Sequence, residues 1–420
     1  MKTRPVFYSY AWSAIGNLAC LAVAGLVACP GGVRAEPGVS PAAITFGQTA
    51  PLEGPAAAFG VNMRRGILAA FAEVNKSGGI RGRKLELITR NDGYEPGRAV
   101  EAVNKLIEED KIFAIIGSVG TPTAQATLPL TTQTGVPFIA PYTGAAFLRD
   151  PSKTGVVNMR ASYFEEAEAI VAQLTGDLGI TRIAVLYQDD FFGRAALAGV
   201  QQALKRRSMS LVSEGTFERN TTAVKRALLQ IREGHPEAVI LLGAFAASAA
   251  FIELAREIKF EAVFVNLSVV EGNALATALG GDGAGVIISQ VVPFPGDTSL
   301  PAVNRYRAAL KAIDPAAEPG FVSLEGYLAG RLLIAALEKI PGEPTRQALL
   351  QAIDGGTFDF DGFRLTYNPG GDQGSNEVYL TMIAPDGSIR PISNLSEALS
   401  PERKVQLLAR RQHTQEVAHP

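Results

Sequence analysis

Short apolar runs and amphipathic stretches alternate along most of this chain. Residues 44–48 read as a first strand. Met63, Ile67, Phe71 and Val74 then recur at helical spacing, until Gly78 and Gly79 stop the pattern. A strand-like run at 84–89 follows, and Pro96 opens a helix carrying Val100, Val103 and Ile107. Residues 112–116 are unbroken apolar, which predicts a parallel strand covered on both faces. Gly117 to Gly120 turns the chain. Thr121 is expected to cap a helix, with Pro122 in its first turn and Gly135 as its stop. Residues 136–140 predict the next strand, which runs into Tyr142-Thr143-Gly144-Ala145. Strands alternating with helices predict a parallel sheet with helices on both faces.

The pattern restarts after 156–160, which reads as a strand crossing out of the first half. A helix through Ala167, Ile170, Val171 and Leu174 ends at Gly179. Strands are then expected at 182–187, 211–216, 238–242 and 262–266, each followed by a loop or helix. The apolar stretch 286–292 is expected to return the chain to the first half. Helices through Val303, Tyr306 and Leu310 and through Leu324, Leu328, Leu332 and Ala335 come next. Strands at 363–367, 377–384 and 389–392 complete the pattern, the last two joined by the turn Pro385-Asp386-Gly387-Ser388. From about Ser396 onward the chain is polar and charged and is expected to pack poorly or to form a loose helix.

Two loops stand out within this α/β pattern. Both follow neighbouring strands of the first half, where open sheets bind ligands. They bring together Ser118, Gly120, Thr121 and Thr123 with Tyr142, Thr143 and Gly144. Unpaired amides at a helix start, with hydroxyls around them, suit a carboxylate or another small polar group. The same residue types also serve as ordinary caps and turns, so both readings stand at this point.

The first 35 residues break the pattern. Lys2 and Arg4 precede a largely apolar run at 11–28, and Val33-Arg34-Ala35 offers small residues for cleavage. This reads as an export signal cut after Ala35. A membrane anchor is the competing reading, as is lipid attachment at Cys29, where Leu26-Val27-Ala28-Cys29 resembles a lipoprotein box. Both cysteines, Cys20 and Cys29, lie in this segment, which leaves the rest without a disulfide, a thiol nucleophile or a cysteine metal site. Cleavage would remove Lys2, Arg4 and Arg34 and no acid, making the remainder more acidic. At 420 residues, 47% hydrophobic and 19% charged, the chain has room for two or three domains and lacks the basic excess of a nucleic-acid binder.

Enzymatic chemistry finds little footing. His235 lies beside Pro236 in a turn, and His413 and His419 lie in the tail, so no metal-ligand or nucleophile–base spacing forms. The glycine clusters at 78–82 and 280–285 do not follow a first strand, and read as turns rather than a dinucleotide fingerprint. No cofactor is expected, and the reading is that of a binding protein rather than an enzyme.

Five segments in order carry a family likeness. They are ITFGQTAPLEGPAAAFGVNMRRGILAAFAEVNKSGGIRGRKLELITRNDGYEP, IIGSVGTPTAQATLPL, GVPFIAPYTGA, IAVLYQDDFFG and GVIISQVVPFP. Between about Ile44 and Ile392 the chain resembles the periplasmic substrate-binding proteins of ABC transporters, of the leucine/isoleucine/valine-binding type. The resemblance implies two Rossmann-like lobes joined by three crossovers, with a ligand cleft between them. Lobe 1 would comprise 41–156 and 289–345, lobe 2 would comprise 157–288 and 346–395, and 396–420 would form the tail. It implies a carboxylate grip at Ser118 to Thr123 and Tyr142 to Gly144, under aromatic cover from Tyr187, Phe192 and Phe245. The branched-chain binders also hold the ligand's ammonium with an acid. Here Val269 or Val270 aligns with that position, and Glu271 lies one or two residues on. The implied role is a monomeric periplasmic protein delivering a small ligand, an amino acid or analogue first, to an ABC transporter permease. An aromatic acid, an amide or urea as ligand, and a part in chemosensing, are the alternatives.

Overall fold

A computed structural model describes residues 36–401 and Lys404. The export segment at 1–35, with Cys20 and Cys29, lies outside the described residues, as does most of the tail with His413 and His419. The first half comprises β1 (Ala43–Ala50), α1 (Ala57–Lys76), β2 (Lys84–Asn91), α2 (Pro96–Glu108), β3 (Ala114–Ile116), α3 (Thr121–Thr134), β4 (Phe138–Ile139) and β5 (Val156–Val157). Its five strands are all parallel, in the order β2-β1-β3-β4-β5. The stretch read as a crossing strand is therefore the sheet's edge at Val156–Val157, and the crossing itself begins at Asn158.

The second half repeats this plan with α4 (Tyr163–Gly176), β6 (Ile183–Gln188), α5 (Phe191–Lys205), β7 (Ser213–Phe217), α6 (Lys225–Glu233), β8 (Ala238–Leu242), α7 (Phe245–Glu257), β9 (Val263–Asn266), α8 (Gly272–Leu279) and β10 (Ile287–Gln290). Here the parallel order is β7-β6-β8-β9-β10, the same winding as in the first sheet. The central strands are apolar because helices cover both faces: all five residues of β8, Ala-Val-Ile-Leu-Leu, are buried, whereas the edge strand β7 is Ser-Glu-Gly-Thr-Phe. Contrary to the expectation for 286–292, β10 does not return to the first half. It pairs with β9 on one side and with β13 on the other, and the chain leaves only after Gln290.

The chain then supplies α9 (Pro301–Ile313), α10 (Phe321–Lys339), α11 (Arg346–Ile353) and a hairpin of β11 (Thr357–Phe360) and β12 (Phe363–Thr366). Helix α10 lies against α1 and is buried along most of its length, which accounts for its run of Leu, Ala and Gly. The expected boundary at 345 moves for a physical reason. Arg346 at the start of α11 donates to the carbonyls of Ile112 (2.8 Å) and Phe113 (2.9 Å), just ahead of β3, and Asp361 in the hairpin pairs with Arg305 of α9 at 2.7 Å. The third crossing follows β12 and leads into β13 (Tyr379–Ile383) and β14 (Ile389–Ile392), added antiparallel to the second sheet. Just ahead of the tail Leu395 is buried, its amide donates to Asp177 at 2.9 Å, and Asn394 and Glu397 cap a short turn of helix there.

The crossings are bound to each other. Asn158 donates its amide to Asp372 O at 2.6 Å, and Gly374 donates back to Asn158 O at 2.9 Å. The half-buried Arg149 donates to Gln373 Oε1 at 2.7 Å and to Arg160 O at 2.9 Å. No helix among the described residues is long and apolar enough to cross a membrane.

Candidate functional site

In each sheet the winding reverses between its first and third strands, which opens a crevice at the strands' carboxyl ends. The two crevices meet. Phe59 follows β1, Tyr94 follows β2, Val119, Gly120 and Thr121 follow β3, and Tyr142 follows β4. Tyr163, Phe192, Ala244 and Val269 come from the second half, and together these ten residues line one cavity. Its free volume is about 20 Å³, enough for roughly one water molecule. The lining contains neither acid nor base.

The polar side is a triangle of hydroxyls. Thr121 Oγ1 lies 2.6 Å from Thr143 Oγ1 and 3.0 Å from Tyr163 Oη, which is 3.3 Å from Thr143 Oγ1. Thr121 is not the helix cap that its sequence suggests. Gly120 holds that position at φ 110, leaving Thr121 in the first turn with its hydroxyl free to meet Thr143. A methyl on Gly120 would come within 2.5 Å of the Tyr94 ring, so both the backbone angle and the close approach call for glycine. Gly144 performs a similar service on the far side, where a Cβ would sit 2.6 Å from the Tyr163 ring.

Tyr163 was not singled out by sequence. A signal for it exists in Ser162-Tyr163-Phe164-Glu165. Ser162 accepts from the amides of Phe164 and Glu165, and Glu165 accepts from the Ser162 amide at 2.7 Å. This capping box fixes Tyr163 as the first residue of α4, in the wall of the cavity. Burial raises the hydroxyl pKa of Tyr163, and raises those of Tyr142 and Tyr94 well above the usual 10, so all three remain protonated.

The expected site residues divide into three groups. Gly120, Thr121, Tyr142 and Phe192 line the cavity, and Thr143 and Gly144 support it from behind. Ser118 and Thr123 lie in the same loop, but their hydroxyls are turned to protein partners. Ser118 Oγ accepts from Thr49 Oγ1 at 3.1 Å, and Thr123 Oγ1 donates to Val119 O at 2.7 Å. Tyr187 is not part of the lining: it sits within β6, and its charged neighbours are Glu214, Asp189 and Arg194. Phe245 and Glu271 line a separate, more open groove of about 410 Å³, together with Asn62 and Arg65 of α1 and Asn273 of α8. Glu271 caps α8 by accepting from Ala274 N at 2.7 Å, and also receives Asn62 Nδ2 at 3.4 Å. Burial raises its pKa against those two hydrogen bonds. Of the two acids after β6, Asp190 is the cap, accepting from Phe192 N at 2.9 Å, while Asp189 pairs with Arg194.

Behind Tyr142 lies a buried charge cluster that sequence did not reveal. Arg160, in the first crossing, is 1% exposed. Its guanidinium lies 4.8 Å from the centre of the Tyr142 ring, 3.4 Å from Glu166 of α4 and 3.5 Å from Glu325 of α10. Glu166 also accepts from Ser268 N (2.9 Å) and Ser289 Oγ (2.6 Å). Burial opposes the charge on Arg160, but the two glutamates outweigh it and raise its pKa. Burial pushes the Glu325 carboxyl up to about 7, against the pull of Arg160. The cluster joins an element of each half at the first crossing.

Near Tyr94 the halves also meet through polar side chains. Arg219, after β7, pairs with Glu95 at 2.8 Å and with Asp190 at 3.0 Å, and Asn220 Nδ2 donates to Glu95 Oε1 at 2.7 Å. Among the described residues no group of three or more His, Cys, Asp and Glu side chains is gathered as a metal ion would require.

Residues 43–388 match the family model described as periplasmic binding protein. This chain belongs to the periplasmic binding proteins. It is 24% identical over 399 residues to Leu/Ile/Val-binding protein homolog 7 of Brucella abortus (strain 2308), covering 87% of this chain and 95% of that one. It is 26% identical over 352 residues to Leu/Ile/Val-binding protein BraC3 of Rhizobium johnstonii, covering 80% and 90%. Among solved structures it resembles a possible leucine/isoleucine/valine-binding protein from Rhodopirellula baltica SH 1. There the TM-score is 0.81 at 36% identity, covering 86% of this chain and 98% of that one. The fold is that of a two-lobed periplasmic binding protein and the function is solute binding. The family is one of solute binders rather than enzymes.

Proposed function

We propose that this protein is the exported, solute-capturing component of an ABC-type uptake system. It takes a small carboxylate-bearing ligand between its lobes and presents it to a permease in the inner membrane. The observation that carries this reading is the cavity lined from both halves, with a hydroxyl triangle beside the start of α3. A helix start with unpaired amides favours an anion, and three neutral hydroxyls add donors for it. The names of the relatives put amino acids and their analogues first among candidate solutes. In this reading the first sheet with α9 and α10 forms one lobe, the second sheet with β13 and β14 forms the other, and the linked crossings form the hinge. Residues 1–35 act as the export signal to the periplasm, and the mature protein works as a monomer.

A thermal-shift screen tests this reading, with amino acids, aromatic acids, amides and urea as the panel. A solute at one hundred times its dissociation constant adds about 2.7 kcal/mol of stability, a shift of several degrees. At least one member of the panel, or a solute co-purified from the native host, is expected to give it. A protein whose melting point no solute moves contradicts the reading.

A further inference from the structure

We infer that closure of the two lobes takes up a proton at Glu325, so that low pH favours the closed form; this deepens the solute-capture reading above, of which lobe closure is a part. The inference stands on a buried cluster built from both lobes around Arg160, in the first crossing. From the first lobe, Glu325 of α10 approaches Arg160 Nη1 at 3.5 Å, and the Tyr142 ring lies 4.8 Å from the guanidinium. From the second lobe, Glu166 of α4 approaches Arg160 Nη2 at 3.4 Å, and Ser268 Oγ accepts from the same nitrogen. Tyr142 Oη donates to Ser268 O at 3.3 Å and ties the two sides together.

The two carboxylates are not served alike. Glu166 accepts from Ser268 N at 2.9 Å, Ser268 Oγ at 2.9 Å and Ser289 Oγ at 2.6 Å. Glu325 is 3% exposed, yet Arg160 Nη1 meets it without a hydrogen bond. Of the other charged groups that face it, Arg149 favours its charge and Glu166 opposes it. The neighbouring helices bring little more. At Gly326, α1 presents the backbone of Met63 and Gly66, and at Ser323, α9 presents the Tyr306 hydroxyl. Further along, Glu73 of α1 binds Tyr327 and pairs with Arg305 of α9 and with Arg331. Lys339 lies on the Phe358 ring of β11, and Arg346 of α11 turns to the carbonyls ahead of β3. Burial prevails, and the Glu325 carboxyl is pushed up to about 7.

Opening removes that burial. When the lobes part, Ser268 and Glu166 leave with the second lobe, and water reaches Glu325 from the side they covered. Its pKa falls back toward the ordinary 4.5, and the proton returns to solvent. The closed form thus holds the proton more tightly than the open one. The contribution to closure is whole below 4.5 and is lost as pH rises through about 7.

Single-molecule energy transfer between the lobes, without solute, tests this. Residues 36–420 contain no cysteine, so Lys105→Cys on α2 and Lys225→Cys on α6 can carry the two dyes. Glu95, just ahead of α2, pairs with Arg219, ahead of α6, so the dyes stand on either side of the contact between lobes. The ratio of closed to open molecules should be about tenfold higher at pH 6 than at pH 8. Glu325→Gln should keep the ratio within about twofold over that range, near the unsubstituted protein's value at pH 6. Asp92 and Glu271 are two further buried carboxyls with raised pKa, and Asp92→Asn and Glu271→Gln should each retain the tenfold change. An equal ratio at both pH values in the unsubstituted protein overturns the inference, whether or not the variants fold. So does a pH dependence that survives Glu325→Gln, or one that vanishes in Asp92→Asn or Glu271→Gln. The expected change in a protein whose melting point no solute moves supports proton-linked closure and removes solute capture.

Discussion

At the scale of single residues, conformation and burial account for the site more than charge does. Gly120 shows this most clearly, for its φ of 110 and its approach to Tyr94 shape the loop that exposes the Thr121 hydroxyl. Gly120→Ala is expected to lower stability by about 1–3 kcal/mol and to weaken solute binding in parallel, as urea unfolding and calorimetry would record. Arg160 makes a different kind of claim. A buried cation between two carboxylates is costly to remove, because its partners are left unpaired. Arg160→Met should therefore lose about 3–5 kcal/mol at pH 8. The loss should shrink at pH 5, where Glu325 takes up a proton. In the native protein this carboxyl is raised from the ordinary 4.5 to about 7. The folded state therefore binds its proton more tightly than the unfolded chain. The resulting stability is whole below 4.5 and is lost as pH rises through about 7. Asp92, pushed up to about 7 mainly by burial, acts in the same direction. Urea titrations at pH 5 and 8 that gave equal losses for Arg160→Met would exclude this account of Glu325.

Among the elements, what could be read from the sequence followed from local pattern. The central strands, such as β3 and β8, are continuous apolar runs, and helices with apolar periodicity lie between the strands, so the alternation predicts the fold. The loop after β3 was legible for the same reason, since Gly120, Thr121 and Pro122 announce a helix start. Long-range partners were not legible. Nothing near Arg160 in sequence points to Glu325, on a helix that reaches it only because α10 lies against α1. Tyr187 misled because an aromatic at a strand's end looks the same whichever face it takes. Its place within β6 puts it among Glu214, Asp189 and Arg194 rather than in the cavity. The contact of Arg219 with Glu95 and Asp190 likewise joins loops far apart in sequence, and it makes its own prediction. Partly exposed pairs contribute about 0.2–1 kcal/mol each. Arg219→Ala should accordingly speed solute release about threefold to tenfold in stopped-flow measurements, with little effect on the melting point of the unliganded protein. A smaller effect at high salt is part of the same expectation.

For the whole molecule, two sheets wound alike face each other at their carboxyl ends, and the chain passes between them at linked crossings. Every loop lining the cavity follows a strand of one sheet or leads out of a crossing, so a solute seated there touches both halves at once. With about 20 Å³ free, the described form is closed, and entry of a solute requires the halves to part. Amide hydrogen exchange tests this central claim most directly, run with and without the solute that gives the largest thermal shift. The account predicts protection gained together at 119–123 and 142–145 in one lobe and at 163–164, 192–193 and 268–269 in the other. Protection confined to one lobe, or gained only around the groove of Phe245 and Glu271, would contradict it.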